Sequence, residues 1–574
     1  MLKKRFSIIG GVLLMVIFAS VINWHKHRIM NWLSPPPSMS ILAAPLIKPL
    51  PPRTFERLRG VHYFADTYPK QFWNSFEPAD AARDFKQIRA DGFNSIVLVV
   101  PWAEFQPSLI DRKHDERMFV RLKGLMDAAE RENLGIVLRV SYYWTYRPNA
   151  EEGATSRTVR LFHDDGVRAA WLDHLGEIYR RVGGHPAFRL AFLSWEDLYP
   201  MELATAPEIL RDKDLLRVYR SYLSRTSRLG DVAALYGQTF TSWDQLPFPE
   251  RKSPAYAKVF DYWDDALLNR LFIPANARFP NLSFEVRVDW DPIWEADGKI
   301  NSKNHAFTYP LPGTNTRTSY YAPSWGMKNV GDFATAEDAL KGFDRYVAHV
   351  QEGDATRHLF IDQLLFYYSL PGHMHNTQVK PEERGKFLEG VATRLKEKDI
   401  SYSLWYYRDY VDNVLYNAHF SLGLEGWNAS AGVRAVSLDS GRHAVVLSRG
   451  DAISQHVPAK LRTGWNVFDK PHNICLTRAG DVTTAAQLKV SSGVGKQTIA
   501  WQKDAVRACG KIYLGASFEL LIASDRDDVT LNKTELYAML EPSDVYGVDG
   551  QASPQLGAVR RLNAIASGIL PAGR

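Results

Sequence analysis

The stretch LAFLSWEDLYP, residues 190–200, runs apolar for four residues and then presents Trp195, Glu196 and Asp197 before a turn closed by Pro200. A short apolar run bounded by turn residues reads as a buried strand. On both sides of it, similar β-type runs alternate with long amphipathic segments, the pattern of a parallel sheet with helices outside it. GVHYF (60–64), FNSIVLVV (93–100) and LGIVLRV (134–140) come before FRLAFLS (188–194). LSFEVRV (282–288), HAFTYPL (305–311) or SYYAP (319–323), RHLFID (357–362) and ISYSLWY (400–406) come after. The helices between them include 80–92, 117–134, 168–183 and 335–350. Eight strands in this order predict a (β/α)8 barrel over about 57–412, with a doubly wound open sheet as the competing α/β arrangement. In a barrel, strand C-terminal ends share one mouth, so Glu196 stands just past the end of strand four, facing it.

The 574 residues, 45% hydrophobic and 12% aromatic, suffice for a large core and two domains. The formal charge of +6 arises from 70 basic and 64 acidic residues spread along the chain. There is no Lys/Arg block and no nucleic-acid motif, so no nucleic-acid partner is expected. No Gly-rich phosphate loop follows the first strand, which sets aside a nucleotide enzyme, and no cofactor is expected. His373 and His375 form an isolated H-x-H without a third ligand, so no metal is assigned. The two cysteines, Cys475 and Cys509, are too far apart for a CxxC motif and are compatible with one disulfide outside the cytosol, with Cα atoms about 4.4–6.8 Å apart.

At the N-terminus, Lys3, Lys4 and Arg5 precede 19 uncharged residues, Phe6–Trp24. As a helix these span about 28 Å, enough for a bilayer core. The apolar run is long and its cleavage positions are poor, which points to an uncleaved anchor rather than a signal peptide. Residues 1–32 are therefore expected to be a single membrane anchor that leaves the bulk of the chain in the periplasm or otherwise outside the cytoplasm. Residues 33–53 carry seven prolines and read as a semi-rigid spacer, to about 56.

Hydrolysis of a glycosidic bond needs one carboxyl to protonate the leaving oxygen and a second to attack the sugar or activate water. Asp362, ending RHLFID, is the partner expected to face Glu196 across the mouth. Taken from position alone, a helix-capping Glu196 and a salt-bridged Asp362 account for the same pattern.

GFNSIVLVVPWAEFQPS (92–108), LGDVAALYGQTFTSWDQLPFP (229–249) and LFIDQL (359–364) resemble segments of the retaining (β/α)8 glycoside hydrolases. In that superfamily the acid/base follows strand four and the nucleophile follows strand seven, and the likeness is greatest to family 42 beta-galactosidases. The resemblance implies Glu196 as acid/base and Asp362 as nucleophile. The chain departs from the family at two places. Trp195 stands where an Asn normally precedes the acid/base, and Asp362 stands for a Glu, shorter by about 1.5 Å. The shorter reach leaves inversion open beside retention, and a slip of one residue would put Gln363 at the nucleophile position.

Aromatic residues collect at predicted strand ends, where ring faces stack on pyranoses. Trp102, Tyr143, Trp195, Tyr320, Tyr321 and Trp405 are candidate substrate contacts, with Tyr320 or Tyr321 also within reach of the nucleophile and Trp405 as a subsite floor. His62 and Arg139 are possible polar ligands, or a core-paired histidine and a structural ion pair.

NVLYNAHFSLGLEGWNAS (413–430) resembles the opening of jelly-roll carbohydrate-binding modules, and alternating runs continue to about 542, predicting a β-sandwich over 413–542. Within it, Trp427 is expected in the core. Residues 543–574 read as a weakly structured tail. Two functions follow: a membrane-anchored glycosidase acting on a polysaccharide such as an exported one, or a catalytically silent glycan-binding relative working with polysaccharide synthesis or export machinery.

Overall fold

A computed structural model describes residues 57–142, 157, 160–194, 213–250, 253–286, 293–294, 300–301, 316–323, 332–351, 357–367, 377–458, 471–543 and 545–571. Eight parallel strands close a barrel: β1 (Arg59–His62), β2 (Ser95–Pro101), β3 (Gly135–Tyr142), β4 (Phe188–Leu193), β5 (Ser283–Val286), β6 (Thr316–Tyr321), β7 (His358–Leu364) and β8 (Ser401–Leu404). Each strand pairs with its sequence neighbours, and β1 closes the ring on β8 through Arg59↔Tyr402 and Gly60↔Ser403. The open-sheet alternative is thereby excluded. Gly60 keeps the seam close, since a Cβ there would lie 3.0 Å from both the Ser403 Cβ and the Ser95 Oγ, a tight contact.

The β2 run SIVLVVP is buried along its whole length, as expected of a β-branched strand covered on both faces. Inside the barrel, Leu58, Val97, Val137, Leu190, Phe192 and Phe360 form an apolar plug. Three of the helices outside begin on side-chain caps that accept otherwise unpaired backbone N–H groups. Asp115 accepts from Arg117 N before Glu116–Arg131, Asp164 from Gly166 N and Val167 N before Asp165–Val182, and Thr335 from Asp338 N before Ala336–Val350. Of the two candidates for strand six, the barrel uses the one containing Tyr320 and Tyr321.

After the barrel, two five-stranded antiparallel sheets enclose one apolar cluster that draws Val445, Leu447, Leu531 and Leu536 from one sheet and Ile453, Leu488, Ile499, Trp501 and Ile522 from the other. Trp427 is buried in this cluster, and its Nε1 donates to Asn417 O at 3.2 Å. Cys475 and Cys509 face each other across neighbouring strands and form a disulfide, with Cα atoms 4.1 Å apart. That separation is below the expected range and close to that of a directly opposed, narrow antiparallel pair.

The last segment departs from expectation. Leu556–Ser567 is a helix, and its Leu556, Val559, Leu562 and Ile565 join the apolar cluster around the barrel. Asn563 ties it down: its Nδ2 donates to Asp91 O at 2.8 Å, and its Oδ1 accepts from Tyr402 Oη at 2.6 Å. The chain thus returns to the barrel after the two sheets rather than trailing away. Phe6–Trp24 and the spacer lie outside the described residues. Among the described residues, no helix is long and apolar enough to cross a membrane.

Candidate active site

Side-chain alternation along a strand sends every second residue into the barrel. Above the apolar plug, the inward positions nearest the strand C-terminal ends are His62 on β1, Arg139 on β3, Ser194 just past β4, Glu285 on β5, Tyr320 on β6, Asp362 on β7, and Ser403 and Trp405 on or just past β8. Most are polar, in a layer that packing alone would fill with Val, Ile and Leu.

Arg139 and Glu285 form an ion pair, Nη2 to Oε2 at 3.2 Å, with their side chains 1% and 0% exposed. The same Nη2 donates to Ser194 Oγ at 2.6 Å, so strands three, four and five are joined by one guanidinium. Glu285 is the residue that sequence reasoning missed. Its signal was a lone carboxylate inside the apolar run LSFEVRV. Arg139 takes the structural-ion-pair role weighed for it.

Asp362 occupies a β-bulge. Ile361 pairs with Ser319 and Gln363 with Tyr320, so Asp362 is the extra residue on β7. A bulge re-aims a side chain at a strand end, a device common beside active sites. The Asp362 carbonyl accepts from His62 Nε2 at 2.9 Å and from Ser403 Oγ. His62 is therefore a core histidine bonded to backbone. The Asp362 residue is 0% exposed. On the other side of the β6–β7 pair, burial pushes the Tyr346 phenol well up. A hydrogen bond with Ser319 opposes that shift, and the negative charges of Asp362 and Glu285 reinforce it, so Tyr346 stays neutral.

Tyr320 and Trp405 come together, packing with Ala322 and Leu365 beside the end of β7. Trp405 is half-buried and stands edge-on to His62, with centroids 4.6 Å apart. Tyr321 is a correction. It points outward from β6, is 0% exposed, donates its hydroxyl to Ala339 O at 2.7 Å and packs on Phe343 and Tyr346, so it offers nothing to the mouth. Alternation on one strand cannot send both tyrosines inward. Trp102 begins a short helix after β2 and is buried there, its Nε1 donating to Gln106 Oε1 at 2.7 Å, with the Arg157 guanidinium 5.4 Å from its ring. Glu196, Trp195 and Tyr143 lie outside the described residues, as do His373 and His375.

Among the described residues, one His/Asp/Glu grouping has metal-like spacing: Asp127, Glu130 and His185. It lies on a helix surface, and the Lys123 ammonium already contacts both Asp127 oxygens at 2.8 and 2.7 Å. It reads as an ion-pair cluster.

No family model matches the chain, and no curated protein matches it. Among solved structures, it is similar to the beta-galactosidase of Rahnella sp. R3, with 12% identity, 62% of this chain and 51% of that one covered, and a TM-score of 0.42. It is also similar to an exo-beta-1,4-mannosidase of an Opitutaceae bacterium, with 14% identity, 62% and 52% coverage and a TM-score of 0.37. A GH5_18 protein of Bifidobacterium longum gives 12% identity, 62% and 71% coverage and a TM-score of 0.37. The chain spans about half the length of the first two. The barrel rests on its own strand pairing.

Proposed function

We propose that the chain is a glycoside hydrolase acting on O-glycosidic bonds of a polysaccharide or oligosaccharide, with Asp362 as nucleophile and Glu196 as acid/base. The observation that supports this reading is that Asp362, the extra residue of a β-bulge, stands at the C-terminal end of β7, close to Tyr320 and Trp405. In the retaining form of the reaction, the Asp362 carboxylate attacks the anomeric carbon while the Glu196 carboxyl gives its proton to the departing oxygen. Glu196, now ionised, then takes a proton from water, whose oxygen displaces Asp362 and restores both groups. Tyr320 and Trp405 supply flat apolar surface for a pyranose.

The wider setting belongs to the same proposal. Phe6–Trp24 anchors the protein, the proline-rich spacer holds the barrel away from the membrane, and the catalytic body works in the periplasm or outside the cell on a polysaccharide that the cell exports. The Cys475–Cys509 disulfide fits an oxidising compartment. The two-sheet region is a carbohydrate-binding module of the jelly-roll kind.

The 0% exposure of Asp362 favours a second reading, a catalytically silent relative that binds glycan for the synthesis or export machinery. One experiment separates them. The full-length protein in detergent is assayed against a glycan and aryl-glycoside panel, with the anomer first released identified by proton NMR. Glu196→Gln is expected to lower glycan hydrolysis about 10²–10⁴-fold, and aryl-glycoside cleavage much less, while Asp362→Asn abolishes both. Binding without cleavage across the panel establishes the silent relative. Equal rates for wild type and Glu196→Gln remove Glu196 from the mechanism.

A further inference from the structure

The bulge on β7 raises a question of satisfaction. A bulge disrupts the ladder locally, and a buried acceptor without a donor is costly. Here the carbonyl of Asp362 has two side-chain donors, from the two strands that close the barrel seam. His62 on β1 reaches it through Nε2 at 2.9 Å, and Ser403 on β8 reaches it through Oγ.

Both donors are fully buried, at 0% exposure, and both are held in place. The backbone carbonyl of His62 accepts from Tyr407 N at 3.0 Å, and the Trp405 ring lies edge-on to the imidazole. Ser403 sits opposite Gly60 in the seam register. A carbonyl oxygen only accepts, so Nε2 of His62 carries its hydrogen and the Ser403 hydroxyl donates. Two donors converging on one oxygen fix the plane of the peptide that follows Asp362, and with it the direction in which the Asp362 Cα–Cβ bond leaves the strand.

We propose that His62 and Ser403 are positioning residues that hold the β7 bulge and so aim the Asp362 carboxylate into the barrel mouth. They act through the backbone of Asp362 and touch no substrate. The proposal rests on the reading of Asp362 as the reacting carboxylate for its kinetic consequence, while its structural consequence stands without that reading. The donors occur in the sequence as an unremarkable GVHYF and ISYSLW, and only closure of the barrel brings them to the same atom.

The test uses the full-length protein with four forms: wild type, Ser403→Ala, His62→Leu and His62→Gln. The Gln side chain places an amide N–H near the position of the imidazole Nε2, so His62→Gln keeps a donor where His62→Leu has none. For an aryl glycoside that the wild type cleaves, His62→Leu and Ser403→Ala are expected to lower kcat about 10–100-fold with KM changed by less than about twofold, because a misaimed nucleophile loses reaction rate rather than binding. His62→Gln is expected to recover most of that loss, which a merely space-filling role for the ring would not produce. Ser403→Ala removes a single oxygen and serves if His62→Leu does not fold. Crystal structures of the same proteins read the Asp362 carboxylate directly, with an expected displacement of about 0.5–1 Å in Ser403→Ala and His62→Leu, on the scale to which reacting groups must be held. A displaced carboxylate in a protein that cleaves nothing on the panel keeps the brace and removes the hydrolase. An undisplaced carboxylate, or an undiminished kcat in both Ser403→Ala and His62→Leu, overturns the proposal.

Discussion

Arg139 and Glu285 are a full charge pair in the middle of a barrel, and they define what single residues do in this protein. Removing one partner strands the other charge in a buried layer, whereas removing both substitutes ordinary packing. Arg139→Met is therefore expected to destabilise the protein by about 3–5 kcal/mol, and Arg139→Met with Glu285→Leu to regain a large part of that. Urea-unfolding midpoints of the two variants check this, and a double variant no more stable than the single would mean that the pair is not coupled. Half of it is legible in the sequence. Arg139 interrupts LGIVLRV and draws attention as a cation in a strand, with an ion pair among its readings. Glu285 interrupts LSFEVRV in the same way, yet nothing in the sequence says that strands three and five share a guanidinium across the barrel. Tyr320 and Tyr321 show the complementary limit. Adjacent tyrosines look equivalent as letters, and only the strand's phase, set by pairing with β7, sends one inward and the other beneath a helix.

Elements were easier to read than their phase. The runs rich in Val, Ile and Leu fall on the barrel strands because both faces of a parallel strand are covered, so the apolar signal is continuous. The helix Leu556–Ser567 was missed for a related reason. Its inward face, Leu556, Val559, Leu562, Asn563 and Ile565, is diluted by Ala and Gly and includes an asparagine whose partners, Asp91 and Tyr402, lie far away in sequence. That helix is docked by a few side chains, and each carries weight. Leu562 is 0% exposed within the barrel's apolar cluster, so Leu562→Ala is expected to cost about 2–5 kcal/mol, the usual loss for a buried Leu that leaves a cavity. The loss is to be read as a lowered thermal midpoint and faster hydrogen exchange in 556–567. An unchanged midpoint and unchanged exchange would show that the helix does not support the barrel.

At the scale of the whole molecule, the barrel and the two-sheet region meet through partly buried charge, which sets a pH limit on their union. Asp66 and Glu535 share the Lys533 ammonium at 2.8 and 3.1 Å, Asp80 pairs with Arg442 at 2.7 Å, and Glu77 accepts from His443 Nδ1 at 3.0 Å. This interface is hidden in the sequence because the partners that cross between the two regions lie more than 300 residues apart and each looks like an ordinary surface charge. His419 lies within it, 6% exposed. Burial holds its imidazole down to about 4; the negative charge of Asp66 works against that and the positive charge of Lys533 with it. The folded protein thus keeps His419 neutral where the unfolded chain, titrating near 6.5, has taken up a proton. Protons favour the unfolded state between these values, so the contribution of His419 is complete above about pH 6.5 and is lost as pH falls towards 4. The shift corresponds to roughly 3 kcal/mol. Glu77, raised by burial, works in the opposite sense above the usual carboxylate range, so the comparison must be made between proteins rather than from one pH curve. Unfolding free energies of wild type and His419→Gln at pH 7, 5.5 and 4.5 supply it. The advantage of wild type over the variant is expected to shrink steadily across that series, and parallel curves would mean that His419 takes up its proton without disturbing the interface.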